Sequence, residues 1–165
     1  MSNSQFNPLV SIIIPVYNGA NYLKDAIFSA LAQTYNNTEI IVINDGSNDQ
    51  GATEKIAKSF GSSIRYFHQQ NGGVASALNT GIEQMRGDYF SWLSHDDLYL
   101  PHKITTQIEY LLSLSNKDIV LYSNYELINE NREHLANVRH DHTMLTAKPL
   151  YGLLRGCIHG CSMLI

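Results

Sequence analysis

Three acidic side chains follow short apolar runs of the chain, at positions where they could bind a metal ion. Asp45 comes after the run Glu39–Ile43, and Asp96 and Asp97 come after the run Asp88–Leu93. If both runs are parallel strands, their carboxyl ends share one edge of a sheet, and ligands of open α/β sheets bind at that edge. Carboxylates gathered there repel one another unless a cation or hydrogen-bond donors lie among them. Oxygen ligands favour Mg²⁺ or Mn²⁺, which would bridge the acids to the phosphates of a substrate.

The sequence predicts the strands and helices that must position these acids over the first two thirds of the chain. Strands are predicted at Leu9–Val16, Glu39–Ile43, Ile64–His68 and Asp88–Leu93, and apolar residues at helix spacing follow each of them. Four alternations of strand and helix favour right-handed crossovers. The sequence therefore predicts an α/β fold with a Rossmann-like, open, mostly parallel sheet flanked by helices on both faces.

The last third of the chain has a weaker pattern. We predict a fifth strand at Asp118–Ser123, a polar hairpin or edge segment at Glu126–His134, and a loop at Val138–Thr146. Leu150–Leu154 is a candidate short helix, and Cys161–Ile165 has the composition of another strand. Because the sequence stops on this apolar run, we expect residues 1–165 to be a single domain truncated on its C-terminal side.

Composition and charge exclude several classes of protein. Eleven Lys and Arg against fifteen Asp and Glu give a net charge of −4, and no basic stripe is present that could bind a phosphate backbone, so nucleic acid is not an expected partner. No apolar stretch approaches the roughly 18–20 residues that cross a bilayer, and the polar start Met1–Asn7 lacks the regions of a signal peptide. We therefore expect a cytoplasmic protein.

Two common phosphate-binding motifs are missing from the sequence. No GxxxxGK[ST] loop occurs, and the first strand is followed by PVYNGANY rather than by a GxGxxG turn. A P-loop enzyme and a dinucleotide-dependent dehydrogenase thereby lose their main support. Since few Lys or Arg residues stand near the strand ends, a metal ion is expected to neutralise any diphosphate that binds there.

Four short motifs follow one another at the predicted strand ends. They are Pro15–Asn18 after the first strand, Asn44–Ser47 after the second, a stretch Asn71–Gly81 with Asn-x-Gly at both ends, and Gly87–Tyr89 leading to Asp96-Asp97. In this order they resemble the family 2 nucleotide-sugar glycosyltransferases of the GT-A fold. The resemblance spans the chain from Leu9 to Pro101 and implies a nucleotide-sugar-binding glycosyltransferase domain.

The resemblance also implies a role for each matched residue. Tyr17 would stack on the base, and Asp45 would accept a hydrogen bond from the ring N–H of a base such as uracil. Asp96 would contact the ribose or help to orient the cluster of acids, and Asp97 would ligate the Mn²⁺ or Mg²⁺ ion that holds the diphosphate. The residues expected to bind the nucleotide are thus Pro15, Val16, Tyr17, Asp45 and Asp96.

The reaction implied by the resemblance is inverting transfer of a sugar from a UDP-sugar to a glycan or lipid-linked acceptor, such as a growing surface polysaccharide. Direct attack by the acceptor hydroxyl needs a nearby base. In the resembling family this base is an Asp in a later segment, so we expect it beyond Ile165, in a part that could also associate with the membrane surface. Many relatives have an acid where Ser94 stands, which leaves the metal role to Asp97. The alternative is a non-catalytic module that binds a nucleotide sugar or serves as a scaffold.

The acids and the tyrosine also have simpler interpretations. Asp45 lies in an Asn-Asp-Gly-Ser stretch that favours turns for local reasons. Asp96 and Asp97 could cap the helix predicted to begin near Pro101. Tyr17 could be a packed aromatic residue.

Two cysteines and three histidines complete the set of candidates. Cys157 and Cys161, spaced as CxxxC, are interpreted as free thiols of a core segment in preference to a metal-binding or redox pair, because a cytosolic setting argues against a structural disulfide. His140 and His142 lack the i, i+4 spacing of a helical zinc site, which favours a solvated loop over a role on the acceptor side. His159 receives no assigned role.

Overall fold

The computed structural model of the chain describes residues 6–148 and 158–165. The first part alternates strands and helices as predicted: β1 (Val10–Val16), α1 (Leu23–Leu31), β2 (Thr38–Asp45), α2 (Ala52–Lys58), β3 (Arg65–Gln69), α3 (Val74–Gln84), β4 (Tyr89–Trp92) and α4 (Lys103–Ser113). Two further strands, β5 (Tyr125–Ile128) and β6 (His134–Val138), precede a short helix, α5 (His142–Ala147). Among these residues no helix combines the length and the apolar character that crossing a bilayer requires.

The four strands β1 to β4 form one parallel sheet in the order β3-β2-β1-β4. The chain moves outward from β1 to β3 and then returns to the other side of β1, so the strand order reverses between β1 and β4. A reversal of this kind opens a crevice at the carboxyl ends of the two strands, which is where open α/β sheets bind ligands. The topology therefore fixes the place where the predicted site residues can meet.

Strand β1 is buried along its whole length because helices cover both faces of the sheet. Ile12 and Ile14 join the core formed with α1, α2 and α4, whereas Ile13 contacts Ile41 of β2 and Ala77 of α3 on the opposite face. Each of these isoleucines is fully buried, which contributes roughly 1.5–3 kcal/mol per side chain. The predicted fold class is thus confirmed.

The predicted fifth strand at Asp118–Ser123 is wrong as a regular strand. Leu121 forms an isolated antiparallel bridge with Leu164, and Val120 beside it is 53% exposed. Ser123 N also donates to Ser162 O at 3.2 Å, but pairing goes no further because Gly160–Ser162 is a 3₁₀ turn. A strand cannot grow where its partner offers so short an extended stretch.

The segment from Cys161 onward is therefore only partly the strand that its composition predicts. After the 3₁₀ turn the chain extends, and Ile165 exchanges two main-chain hydrogen bonds with Phe90 of β4, of 2.7 and 3.0 Å. Such a mutual pair is the antiparallel pattern. This end of the chain thus lies beside β4 and runs against the direction of the four parallel strands.

The region between Tyr125 and Ala147 agrees in part with its prediction. The hairpin predicted around Glu126–His134 is confirmed as the antiparallel pair β5 and β6. The loop predicted at Val138–Thr146 is wrong over its second half, since α5 occupies it; the six residues HTMLTA contain no Gly or Pro to prevent a helical turn. The candidate helix Leu150–Leu154 and Cys157 lie outside the described residues.

Candidate functional site

A cleft of about 200 Å³ opens at the carboxyl ends of β1 and β4, where the strand order reverses. Its walls come from the end of β1, the end of β2, the start of α3 and the turn after β4. The structure places at this cleft all of the residues expected to bind a nucleotide, together with neighbours from α3 and the β4 turn: Pro15, Val16, Tyr17, Asp45, Val74, Ala77, Ser94, His95 and Asp96.

A larger open groove of about 470 Å³ lies beside the residues that precede β1 and β2, at the opposite edge of the sheet. It is lined by neutral side chains from Asn7, Thr34–Asn37 and Thr105. Among the residues that the structure describes, no charged group lines that groove. We therefore take the smaller cleft, which contains the acids, as the candidate site.

Tyr17 is directed to the cleft and not to the core. It is 42% exposed, directly after the last residue of β1. The next residue, Asn18, has a φ of +52°, a left-handed conformation that turns the chain sharply at this point. The ring of Tyr17 is therefore available to a ligand, and the packed-aromatic interpretation does not hold for it.

Asp45 is 4% exposed at the end of β2, and its carboxylate accepts hydrogen bonds from a distant loop. Oδ1 accepts from Gln69 Nε2 at 2.7 Å and from Gly72 N at 2.9 Å, and Oδ2 accepts from Gly73 N at 2.8 Å. The carboxylate therefore holds the loop that begins α3, a larger role than that of a local turn residue. Since two carboxylate oxygens offer about four acceptor positions, one remains for a ligand N–H.

Gly46 makes this arrangement possible. Its φ is +71°, and a Cβ at this position would lie 2.6 Å from Asn71 N. Only glycine tolerates both the left-handed conformation and the close approach of the neighbouring loop. The Asp-Gly pair in the second motif thus has a structural reason as well as a chemical one.

The loops after β1 and β2 are joined by side-chain hydrogen bonds, which makes one wall of the cleft rigid. Asn18 and Asn48 bond twice, at 2.8 and 2.9 Å, and Gly19 N donates to Thr53 Oγ1 at 3.0 Å. The Thr53 hydroxyl donates in turn to Asp49 at 2.6 Å, a bond that, with further main-chain donors, lowers the pKa of Asp49. Sequence reasoning did not find the roles of these two residues, because Thr53 contacts Gly19 on another loop and Asp49 acts through Thr53.

The two acids after β4 separate. Asp96 is exposed and lines the cleft, whereas Asp97 is half-buried and lies with His159 and Cys161. One potential ligand atom from each of these three residues lies within 4.8 Å of the other two. Within the described ranges, the expected cluster of three acids is therefore replaced by a carboxylate, an imidazole and a thiol.

Cys161 is more than the free core thiol that the sequence predicts. It is 9% exposed, and its Sγ accepts a hydrogen bond from Ser94 N at 3.1 Å and donates to Ser94 Oγ at 3.1 Å. Burial raises the pKa of Cys161 to about 12, and the neighbouring Asp97 carboxylate acts in the same direction. The thiol is therefore neutral in the metal-free chain, and a bound dication would favour its thiolate form.

The three histidines lie near one another, on the side of the site that faces the β5–β6 hairpin. His159 is exposed, and its ring centroid lies 5.4 Å from that of Tyr125. His140 is half-buried, with its ring edge-on to Tyr122 at 5.3 Å, and His142 Nδ1 lies 2.9 Å from the Tyr122 hydroxyl. The interpretation of His140 as part of a solvated loop therefore does not describe its surroundings.

Strand direction explains why His159 and Cys161 were not predicted as site residues. Residues that follow a parallel strand lie at its carboxyl end, but the segment ending at Ile165 runs antiparallel to β4. Its first residues, rather than those after it, therefore lie beside the carboxyl end of β4. The signal present in the sequence was a pair of ligand-type residues directly before an apolar run.

Comparison with known proteins agrees with these features. The family model of glycosyl transferase family 2 matches residues 11–165. An uncharacterized glycosyltransferase of Rickettsia bellii is 60% identical over 165 residues, covering 98% of this chain and 24% of the relative. Another of Rickettsia typhi is 56% identical over 168 residues, covering 100% of this chain and 52% of the relative. The chain thus spans about a quarter to a half of the length of these relatives.

Two solved structures share the fold at lower identity. The mannosyltransferase PcManGT from Pyrobaculum calidifontis, in complex with GDP-Man and Mn²⁺, matches with a TM-score of 0.63 at 17% identity. The matched region covers 98% of this chain and 45% of the mannosyltransferase chain. S. aureus TarS 1-349, in complex with UDP-GlcNAc, matches with a TM-score of 0.57 at 22% identity. The matched region covers 64% of this chain and 31% of the TarS chain.

The family match and the Rickettsia relatives confirm the resemblance that the four motifs predict. The names of the relatives, which are glycosyltransferases, agree with the class of enzyme that the resemblance implies. The chain therefore belongs to glycosyl transferase family 2.

Proposed function

We propose that the cleft between β1 and β4 binds the nucleotide of a UDP-sugar, and that the whole enzyme transfers the sugar with inversion to a glycan or lipid-linked acceptor. The observation that carries this proposal is the meeting of Tyr17, Asp45 and Asp96 at one cleft, with Asp97 at its margin. The complexes of the two structural neighbours, one with UDP-GlcNAc and one with GDP-Man and Mn²⁺, support a nucleotide-sugar donor.

The base would bind against the wall made by the ends of β1 and β2. The exposed ring of Tyr17 offers a face for stacking, and Asp45 has acceptor capacity left for a ring N–H. Because Asp45 is held by three donors of the chain itself, it would recognise the base without rearranging. Asp96, exposed at the same cleft, would accept hydrogen bonds from ribose hydroxyls.

The diphosphate would lie near Asp97. When bound there, a divalent cation would neutralise the charge that the departing diphosphate gains. His159 and Cys161 are the described residues that can complete such a site. Asp97 is half-buried and would present its carboxylate to the cation, and Ser94 keeps the Cys161 side chain in place.

The acceptor side of the reaction stays a prediction. Direct displacement requires a base within hydrogen-bond reach of the attacking hydroxyl, and we propose that a carboxylate beyond Ile165 supplies it. The His159 ring, which lies close to Asp97, and the Tyr125 ring beside it would face the incoming acceptor. A cytoplasmic location and contact with a membrane surface also stay predictions.

Calorimetric titration of UDP and GDP, with and without Mn²⁺, tests the donor half of the proposal. We expect UDP to bind more tightly with Mn²⁺, and Asp97→Ala to reduce the metal-dependent affinity by about ten-fold or more. Asp88→Ala is the matched control, since Asp88 is an exposed acid that binds Leu9 N at the opposite edge of the sheet. Metal-independent binding, or equal affinity in the two variants, would contradict the proposal.

A GDP preference would change only the identity of the base.

The alternative function, a module that binds a nucleotide sugar without transferring it, predicts the same titration results. The two functions differ when the full-length protein is incubated with a UDP-sugar and an acceptor. We expect an enzyme to convert the UDP-sugar to UDP, whereas a binding module would leave it intact.

A further inference from the structure

The margin of the cleft carries three different kinds of metal ligand. Asp97 offers a carboxylate oxygen, His159 an imidazole nitrogen and Cys161 a sulfur, with the three atoms within 4.8 Å of one another. Sites built for Mg²⁺ consist of oxygen ligands, whereas nitrogen and sulfur ligands select transition metals. The ligand set at this position therefore differs from the oxygen-only set that the acids of the sequence suggested.

The segment that carries His159 and Cys161 is held firmly against β4. Gly160 lies directly on the Trp92 indole, where a Cβ would come within 2.1 Å of the ring. Two residues further on, Ser162 O accepts from the buried Gln107 side chain at 2.9 Å. Because main-chain positions on both sides of Cys161 are fixed, the ligand atoms are brought together before any metal binds.

Side-chain contacts orient two of the ligands further. Ser94 N–H points at Cys161 Sγ, a contact that also stabilises a thiolate, and the His159 ring lies against Tyr125. Supporting contacts of this kind orient the ligands of metal sites and tune their affinity. Three protein ligands with a fourth position left open are typical of zinc sites that act on a substrate, whereas structural zinc sites have four.

We propose that Asp97, His159 and Cys161 bind one transition-metal dication of borderline softness, with Zn²⁺ and Co²⁺ preferred to Mn²⁺ and Mn²⁺ preferred to Mg²⁺. Formation of the metal–sulfur bond releases the thiol proton to solvent, one proton for each metal ion bound. The His159 imidazole and the Asp97 carboxylate bind the ion through lone pairs. That the open position takes a diphosphate oxygen rests on the proposed function, but the metal preference does not.

Titration of Co²⁺ into the 165-residue chain tests this site by a direct spectroscopic signature. We expect a thiolate-to-cobalt charge-transfer absorption that saturates at one equivalent and is not displaced by a large excess of Mg²⁺. Cys161→Ser should abolish this absorption, and Cys157→Ser, which changes the chain's other cysteine, should retain it. The proposal is overturned if no charge-transfer absorption develops, if Mg²⁺ displaces Co²⁺, or if Cys157→Ser alone abolishes the signal.

A second variant keeps the test informative if Cys161→Ser does not fold. His159 is exposed, so His159→Ala should keep the circular dichroism spectrum of the parent chain and weaken Co²⁺ binding by about ten-fold or more. Unchanged Co²⁺ affinity in this variant would contradict the site.

The outcomes for the two proposals can be told apart. Charge-transfer absorption without UDP binding would remove the proposed function and leave the metal site. UDP binding that depends on Mg²⁺, in a chain that gives no charge-transfer absorption with Co²⁺, would leave the function and remove the metal site.

Discussion

The candidate site has two walls, which are stabilised in different ways. The first is the cleft wall from β1 and β2, and the second is the segment 159–165, which lies outside the cleft lining and carries His159 and Cys161 beside Asp97. The wall from β1 and β2 rests on a regular parallel ladder and on loops that hydrogen-bond to each other, with Asp45 buried among three donors. The wall from residues 159–165 rests on two short main-chain pairings, Leu164 with Leu121 and Ile165 with Phe90. Side chains also reach its main chain: Gln107 donates to Ser162 O, and Lys103 and Ser91 both donate to Met163 O. A regular ladder forms the first wall, whereas short pairings and individual polar contacts form the second.

The largest effect is expected in the first wall. In Asp45→Asn the new amide group would face the Gly73 N–H, leaving this donor without an acceptor beside the buried Asp45 side chain. The unpaired donor and the loss of charged hydrogen bonds together cost about 2–3 kcal/mol. Urea denaturation should show this loss of unfolding free energy.

Asp88→Asn provides the matched control for that substitution. Its carboxylate is exposed and accepts one bond, from Leu9 N, and an amide oxygen can replace it. We expect a loss below about 1 kcal/mol. Equal losses in the two variants would show that the loop before α3 does not depend on Asp45.

An effect of intermediate size, dependent on pH, is expected from Lys103 in the second wall. Its amine donates to Ser91 Oγ at 2.5 Å and Met163 O at 3.1 Å and lies 4.1 Å from the Tyr99 ring centroid. Burial lowers the pKa of Lys103 to about 7. Between pH 7 and the ordinary lysine pKa near 10.4, the unfolded chain thus binds more protons than the folded chain, so stability rises with pH there.

The slope for one such proton is at most about 1.4 kcal/mol per pH unit. We expect the unfolding free energy to increase from pH 7 to pH 9, and Lys103→Met to remove most of this increase. Lys55→Met, at an exposed lysine, should keep it. Above pH 9 the gain should stop, because the raised pKa of Cys161 makes the folded chain hold a proton that the unfolded chain loses. A flat profile in the parent chain would refute the assignment of a buried amine.

The smallest effect is expected where the β5–β6 hairpin meets α1. Arg132 pairs with Asp25, and the two side chains are 60% and 38% exposed. Exposed ion pairs contribute from nothing to about 1 kcal/mol and are screened by salt. Arg132→Ala should therefore lower stability by less than about 1 kcal/mol.

A double-mutant cycle with Asp25→Ala, at low and high salt, measures this pair directly. We expect a small coupling energy that disappears at high salt. A salt-resistant coupling above about 2 kcal/mol would mean that the hairpin is anchored to the rest of the molecule through Arg132.

The accuracy of the predictions from sequence differs between the same two walls of the site. The strands β1 to β4 were predictable because buried parallel strands leave continuous β-branched runs, such as Ile12–Ile14. Tyr17, Asp45 and Asp96 were predictable because residues after such strands share one edge. These arguments need no knowledge of long-range contacts.

The second wall could not be predicted in the same way. The position of Cys161 depends on a reversed strand direction, on a glycine against Trp92 and on Ser94, none of which leaves a periodic pattern. The strand predicted at Asp118–Ser123 was wrong for a related reason, since the extent of pairing at Leu121 is set by where another segment begins to extend. Propensity is a local property, and these features are decided by partners distant in the chain.

The antiparallel pairing of Ile165 with Phe90 has a consequence for motion. Short stretches joined by few main-chain bonds are the first to open in native proteins, and they do so without global unfolding. A brief separation at this edge would carry His159 and Cys161 away while Tyr17 and Asp45 stayed where they are. The amide protons of Leu164 and Ile165 would then exchange with solvent sooner than those of Ile13 or Ile41. The cleft itself, which residues 159–165 do not line, would stay formed.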